Sequence, residues 1–129
     1  MKIENQKKYR ILVIEDNPEI LELLDALLTA QGFEVFTCVD GAKALEKFNK
    51  KDYSLVILDM MLPGKSGFDI CKELRAEEKG AHIPLIILSA LAQKTEIEKG
   101  IDCGADIYIT KPYENKHLIE QINKLLRTE

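Results

Sequence analysis

The 129-residue sequence has no tryptophan, two histidines and three cysteines. Cys38, Cys71 and Cys103 are odd in number, far apart and without a C-x-x-C pair, and His82 and His117 stand at no recognised metal spacing. Nothing points to a zinc site or a disulfide framework, and the expectation is three reduced, packed thiols. No apolar run approaches the roughly 20 residues needed to cross a bilayer. The start, Met1-Lys2-Ile3-Glu4-Asn5-Gln6-Lys7-Lys8, carries no apolar signal region. A cytoplasmic protein without membrane contact is therefore expected. Basic blocks are missing too: Lys7-Lys8 plus Arg10 is the longest, and the net charge is −4. That speaks against direct nucleic-acid binding, which needs a cationic surface tracking phosphates.

What is present is a core: 46% of residues are apolar, too many for a disordered chain of this size. Short β-branched runs alternate with amphipathic stretches. The runs are Ile11-Leu12-Val13-Ile14, Glu34-Val35-Phe36-Thr37-Cys38, Leu55-Val56-Ile57-Leu58, Leu85-Ile86-Ile87-Leu88 and Ile107-Tyr108-Ile109. Three of them are continuously apolar, as strands covered on both faces of a parallel sheet are. Helical spacing groups Ile20, Leu24, Leu27 and Leu28, then Leu45 and Phe48, and finally Leu118, Ile122, Leu125 and Leu126. A further stretch at 93 to 102 has only Ile97 and Ile101 to bury and is expected to be the most weakly held helix. Asn17-Pro18-Glu19 reads as a helix start, Asp40 as a cap, and Gly32 and Gly104 as left-handed helix ends. The order is (βα)5, a doubly wound α/β fold with a five-stranded parallel sheet. With no linker, repeat or low-complexity segment, residues 1–129 read as a single domain with 1–8 a polar lead-in.

Ligands of such sheets bind beyond the carboxyl ends of the strands. Glu15 and Asp16 follow the first run, Asp59 the third, Ser89 the fourth, and Thr110, Lys111 and Pro112 the fifth. Three carboxylates against one lysine leave an excess of negative charge. Unit charges about 4 Å apart repel by about 4 kcal/mol at an effective dielectric near 20. A hard divalent cation relieves that, and carboxylate oxygens are its ligands. One carboxylate can then serve as nucleophile toward a phosphoryl group, whose charge the metal and Lys111 stabilise. Each residue alone has a plainer reading as a cap, a turn or a surface lysine; their joint placement at four strand ends is what points to a site.

These residues carry a resemblance. Ile11 to Asn17, Asp59-Met60-Met61-Leu62-Pro63-Gly64 with Gly67, Ser89-Ala90, and Gly104-Ala105-Asp106 leading to Lys111-Pro112 resemble the receiver domain of bacterial two-component response regulators over residues 9 to 127. The resemblance implies a flavodoxin-like topology with strand order 2-1-3-4-5. It implies a phosphorylation-dependent signalling switch that takes a phosphoryl group from a phosphohistidine donor, a sensor histidine kinase or phosphotransfer protein, onto Asp59. Such a chain is not a turnover enzyme; it catalyses its own phosphoryl transfer and autodephosphorylation. Mg²⁺, or Mn²⁺ in its place, is held by Asp16 and Asp59, by Glu15 through water and by the backbone carbonyl of Met61. Lys111 contacts the phosphoryl group, Ser89 is the switch hydroxyl and Tyr108 its aromatic partner. The Lys111–Pro112 bond is expected cis. Output, to a downstream effector or a receiver dimer, leaves through the face of helix four, strand five and helix five. Glu15 departs mildly from the family, where Asp is commoner.

Two other classes fit poorly. An aspartyl phosphatase of the dehalogenase type places a second Asp two residues past the nucleophile, and here that residue is Met61. A flavin module needs a small-residue phosphate loop after the first strand, where Glu15-Asp16-Asn17-Pro18 would repel phosphate. Met61 and Leu91, two past Asp59 and Ser89, are both apolar and unable to orient an attacking water, so a fairly long-lived phosphorylated form is expected.

Overall fold

The computed structural model describes residues 8–60 and 65–127. Along the chain run β1 (Arg10–Ile14), α1 (Pro18–Ala30), β2 (Glu34–Cys38), a 3-10 turn (Gly41–Lys43), α2 (Ala44–Asn49), β3 (Leu55–Asp59), α3 (Gly67–Ala76), β4 (Leu85–Ser89), α4 (Lys94–Asp102), β5 (Ile107–Thr110) and α5 (Asn115–Arg127). All strand pairs are parallel and the order is β2-β1-β3-β4-β5. The doubly wound (βα)5 expectation and its strand order hold.

The apolar runs explain why the sheet is covered on both faces. Side chains alternate across a strand. Leu12, Ile14, Val56, Leu58, Leu85 and Ile87 face one cluster with Phe48 of α2 and Ile70, Cys71 and Leu74 of α3. Ile11, Val13, Leu55, Ile57, Ile86, Leu88 and Ile109 face the other, against Leu21, Leu24 and Leu28 of α1 and Leu118, Ile122 and Leu126 of α5. Each fully buried aliphatic side chain contributes roughly 1.5–3 kcal/mol. All three thiols are free and buried.

Local signals set the helix ends. Asn17 Oδ1 accepts from Glu19 N at 2.9 Å, with Pro18 at the first helical position. Gly32 and Gly104 have φ of 96° and 116°. Asp40 caps the 3-10 turn ahead of α2, its Oδ1 accepting from Ala42 N at 2.9 Å.

Two burial expectations shift. On α1 the centre of the buried stripe is Leu21, Leu24 and Leu28, with Ile20 and Leu27 half-buried on its flanks. On α4 Gly100 is the one residue fully buried, Ile97 is half-buried and Ile101 is 43% exposed. The weakly anchored α4 thus has even less apolar hold than its sequence suggested. Gln93 also provides no side-chain cap. Among the described residues no helix is long and apolar enough to cross a membrane.

Candidate active site

Parallel pairing aligns the carboxyl ends of β1, β3, β4 and β5, and their last residues or the first ones beyond them form one cluster. Glu15 and Asp16 follow β1, Asp59 ends β3, Ser89 ends β4 and Lys111 follows β5. Carboxylate oxygens of Glu15, Asp16 and Asp59 lie within 4.8 Å of one another. Lys111 Nζ stands 3.3 Å from Asp59 Oδ2 and 3.7 Å from Glu15 Oε1. The Lys111–Pro112 peptide is cis. Glu15, Asp59 and Ser89 are buried, whereas Asp16 is half-buried and opens the cluster toward solvent.

Gly67 closes the back of the site. A Cβ there would sit 2.6 Å from Met60 Cα and 2.9 Å from the Asp59 carbonyl oxygen. Its N–H donates to the Met60 carbonyl at 3.1 Å. The spacing between Asp59 and Gly67 therefore has a steric basis: a larger residue would displace the backbone that carries the central carboxylate. Met61, with its backbone carbonyl and side chain, lies outside the described residues, as do Leu62, Pro63 and Gly64.

The electrostatics favour an added cation. Glu15 Oε2 accepts from Asn17 N at 3.1 Å, but Oε1 is buried with no hydrogen-bond partner. Burial first, and then the Asp59 carboxylate, push the Glu15 carboxyl up to about 7, against the lowering pull of the Asn17 N–H and Lys111. A buried carboxylate oxygen without a hydrogen bond, 3.7 Å from Lys111 Nζ and beside two more carboxylates, belongs to a donor set suited to a hard divalent ion such as Mg²⁺.

A pH dependence follows. The ordinary value of 4.5 is raised to about 7 in the folded chain. Between those values the folded state holds more protons than the unfolded one. The stability of the metal-free protein should therefore fall as pH rises through that window. Urea midpoints in chelator at about pH 5 and about pH 7.5 should differ in that direction, and Glu15→Gln should flatten the slope. A slope unchanged in the glutamine variant would assign it to another group.

The second part of the cluster runs through the loop after β4. Ser89 Oγ accepts from Leu91 N at 3.0 Å, and Tyr108 Oη donates to the Leu91 carbonyl at 2.8 Å. The Leu91 residue is thus gripped at both backbone groups, by the hydroxyl at the end of β4 and by the aromatic on β5. Sequence reasoning considered only the Leu91 side chain, which is half-buried; no residue pattern announces a backbone role.

Tyr113 was also passed over. Burial, and then the Glu15 and Asp59 charges, raise its phenol above the ordinary range, so this half-buried ring senses the acids. The signal was an aromatic directly after Lys111-Pro112.

Comparison with known proteins agrees with this arrangement. Residues 11–123 match the family described as "Response regulator receiver domain". The sensory transduction protein RegX3 of Mycobacterium tuberculosis is 41% identical over 119 residues, 91% of this chain and 50% of that protein. The DNA-binding transcriptional regulator RpaA of Synechocystis is 39% identical over 118 residues, 92% of this chain and 49% of that one. The chain spans about half the length of these curated relatives. Among solved structures, a putative response regulator from Chloroflexus aurantiacus superposes with a TM-score of 0.88 at 28% identity, covering 94% of this chain and 99% of that one. The receiver domain of a Pseudomonas aeruginosa sensor histidine kinase, with a magnesium ion coordinated in its active site cleft, gives 0.86 at 28% identity, covering 93% and 98%.

Proposed function

The chain belongs to the response-regulator receiver family of two-component systems, and on that premise we propose that it is a switch set by phosphorylation of Asp59 from a phosphohistidine donor. Receiver domains are signalling domains, not turnover enzymes. The observation that carries the proposal is the environment of Asp59: a buried carboxylate with Lys111 Nζ at 3.3 Å and two further carboxylates beside it.

In the proposed transfer an Asp59 oxygen attacks phosphorus as the bond from phosphorus to the donor's imidazole nitrogen breaks. The electron pair leaves on the imidazole and an acyl phosphate forms on Asp59. Lys111 places its ammonium against the phosphoryl oxygens, and Ser89 Oγ can donate to one of them while still accepting from Leu91 N. Mg²⁺ would be held by Asp16 and Asp59, and by Glu15 through water, and would supply charge neutralisation on the transferring group. We also assign autodephosphorylation to the same site, with Leu91 partly covering the water's approach. The reading takes residues 1–129 as one cytoplasmic receiver domain. Its donor is a sensor histidine kinase or phosphotransfer protein. Its output, to an effector or to a second receiver, leaves through α4, β5 and α5; the Ser89, Leu91 and Tyr108 chain of hydrogen bonds runs from the site to the loop ahead of α4 and to β5.

The test is metal-dependent transfer with the acids ranked. Phosphoryl transfer from a phosphohistidine donor should require Mg²⁺. Asp16→Ala should weaken Mg²⁺ binding by more than about tenfold, the least that loss of an outer-shell partner costs, and far more than Glu15→Gln. Transfer that proceeds equally in chelator would remove the metal from the mechanism, and equal titrations for the two variants would reverse the ranking of the acids.

A further inference from the structure

Gly100 lies within α4, where a glycine costs about 1 kcal/mol relative to alanine. That is a strange residue for the helix with the weakest apolar anchoring and no side-chain N-cap. Its surroundings give the reason. A Cβ on Gly100 would lie 2.6 Å from Tyr108 Cδ2, 2.8 Å from Tyr108 Cε2 and 3.3 Å from Ile87 Cδ1. Ile87 and Tyr108 are paired neighbours on β4 and β5. The flat edge of the tyrosine ring therefore rests directly on the α4 backbone, at the place where any side chain would have stood. At its other end the ring is tied by its hydroxyl to the Leu91 carbonyl.

We propose that Gly100 is the seat of the inward Tyr108 ring, a positioning residue that sets how readily the aromatic arm of the switch closes onto Leu91. The proposal rests on the reading of Tyr108 as that arm. An added methyl at Gly100 cannot be accommodated by a small shift. Ile87 blocks one side, and the clashing atoms belong to a rigid ring. The ring yields by rotating about its own side-chain bonds, which breaks the bond to Leu91 and releases the loop after β4 at one end. α4 would gain helix propensity and lose its contact with β5. Chemistry at Asp59 is untouched, because Gly100 meets none of the reacting groups.

The experiment compares Gly100→Ala, Tyr108→Ala and the double variant in the full chain. It uses tyrosine ring signals by NMR, assigned with Tyr108→Phe, and hydrogen exchange of residues 90–102, each with and without beryllofluoride and Mg²⁺. In Gly100→Ala the Tyr108 ring signals should move toward solvent-exposed positions. Exchange at 90–93 should quicken by about tenfold, the factor for about 1.4 kcal/mol of lost local hold. Phosphorylation by acetyl phosphate should proceed to the same extent. With the ring removed, the same Gly100→Ala change should slow exchange across α4, since only the propensity gain remains. That reversal of sign separates a seat from an ordinary helical glycine. Should Gly100→Ala alone fail to fold, recovery of folding in the double variant supports the seat, and failure of both variants to fold overturns it. Unmoved Tyr108 signals with slower α4 exchange in the single variant would also overturn it. If Tyr108 moves as expected but beryllofluoride leaves α4 exchange unaltered in the parent, the seat stands and the reading of α4 as the output element falls.

Discussion

Asp59→Asn should abolish phosphorylation outright. With acetyl phosphate and Mg²⁺, the parent should gain one phosphoryl group by intact mass and the variant none. The amide keeps the shape of the carboxylate but removes the charged oxygen that attacks phosphorus. It also takes one negative charge from a cluster whose carboxylate oxygens lie within 4.8 Å of each other. The metal-free variant should therefore be at least as stable as the parent, so loss of labelling cannot be blamed on unfolding. Label retained on the asparagine variant would move the nucleophile to Glu15 or Asp16, the two other carboxylates in reach.

Arg75→Ala should produce the largest loss of stability. The guanidinium, at the end of α3, donates to the Gly104 carbonyl through Nε at 2.9 Å and Nη2 at 2.6 Å. Nη1 reaches the carbonyls of Gly80 at 2.9 Å and Ile83 at 2.6 Å, and Nη2 the Asp106 carboxylate at 3.1 Å. Asp106 Oδ2 in turn accepts from Leu85 N at 2.8 Å. One planar fork thus joins the segments that lead into β4 and β5. Removing it strands several partly buried carbonyls, each at about 1 to 3 kcal/mol, a cost of about 3 to 5 kcal/mol in all. For a chain of this size that lowers Tm by roughly 10–20 °C. Arg75→Lys should recover less than half, because an ammonium has no fork to span three carbonyls. Urea unfolding that shows a cost below about 1 kcal/mol would reduce Arg75 to an ordinary surface contact.

What the sequence revealed and what it concealed divide along a physical line. The continuous runs of β1, β3 and β4 are legible because burial on both faces leaves no room for polar residues. Asn17, Gly32 and Gly104 are legible because caps and positive φ have narrow residue preferences. The grouping of Glu15, Asp16, Asp59, Ser89 and Lys111 follows from parallel topology alone, since every strand ends on the same side. The centre of the α1 stripe fell one position away, on Leu21, because two adjacent apolar rows satisfy the same period. Arg75 went unnoticed because its partners are mostly carbonyls, which every residue has. Gly100 is not legible in the sequence because its meaning lies in the ring across from it, eight residues later in the chain. The grip on Leu91 is of the same kind, a backbone matter invisible to side-chain patterns.

The Arg75 fork stands on the side of the sheet where the strands begin, and the acids stand where they end. A site that must act and a frame that must hold make separate demands on the chain. Here the two demands fall on different residues. Loops beyond the strand ends can change in shape and charge without touching the fork, which together with the doubly covered runs keeps the frame in place. Drift of that kind is open to selection in small steps, because a change on one side need not loosen the architecture on the other.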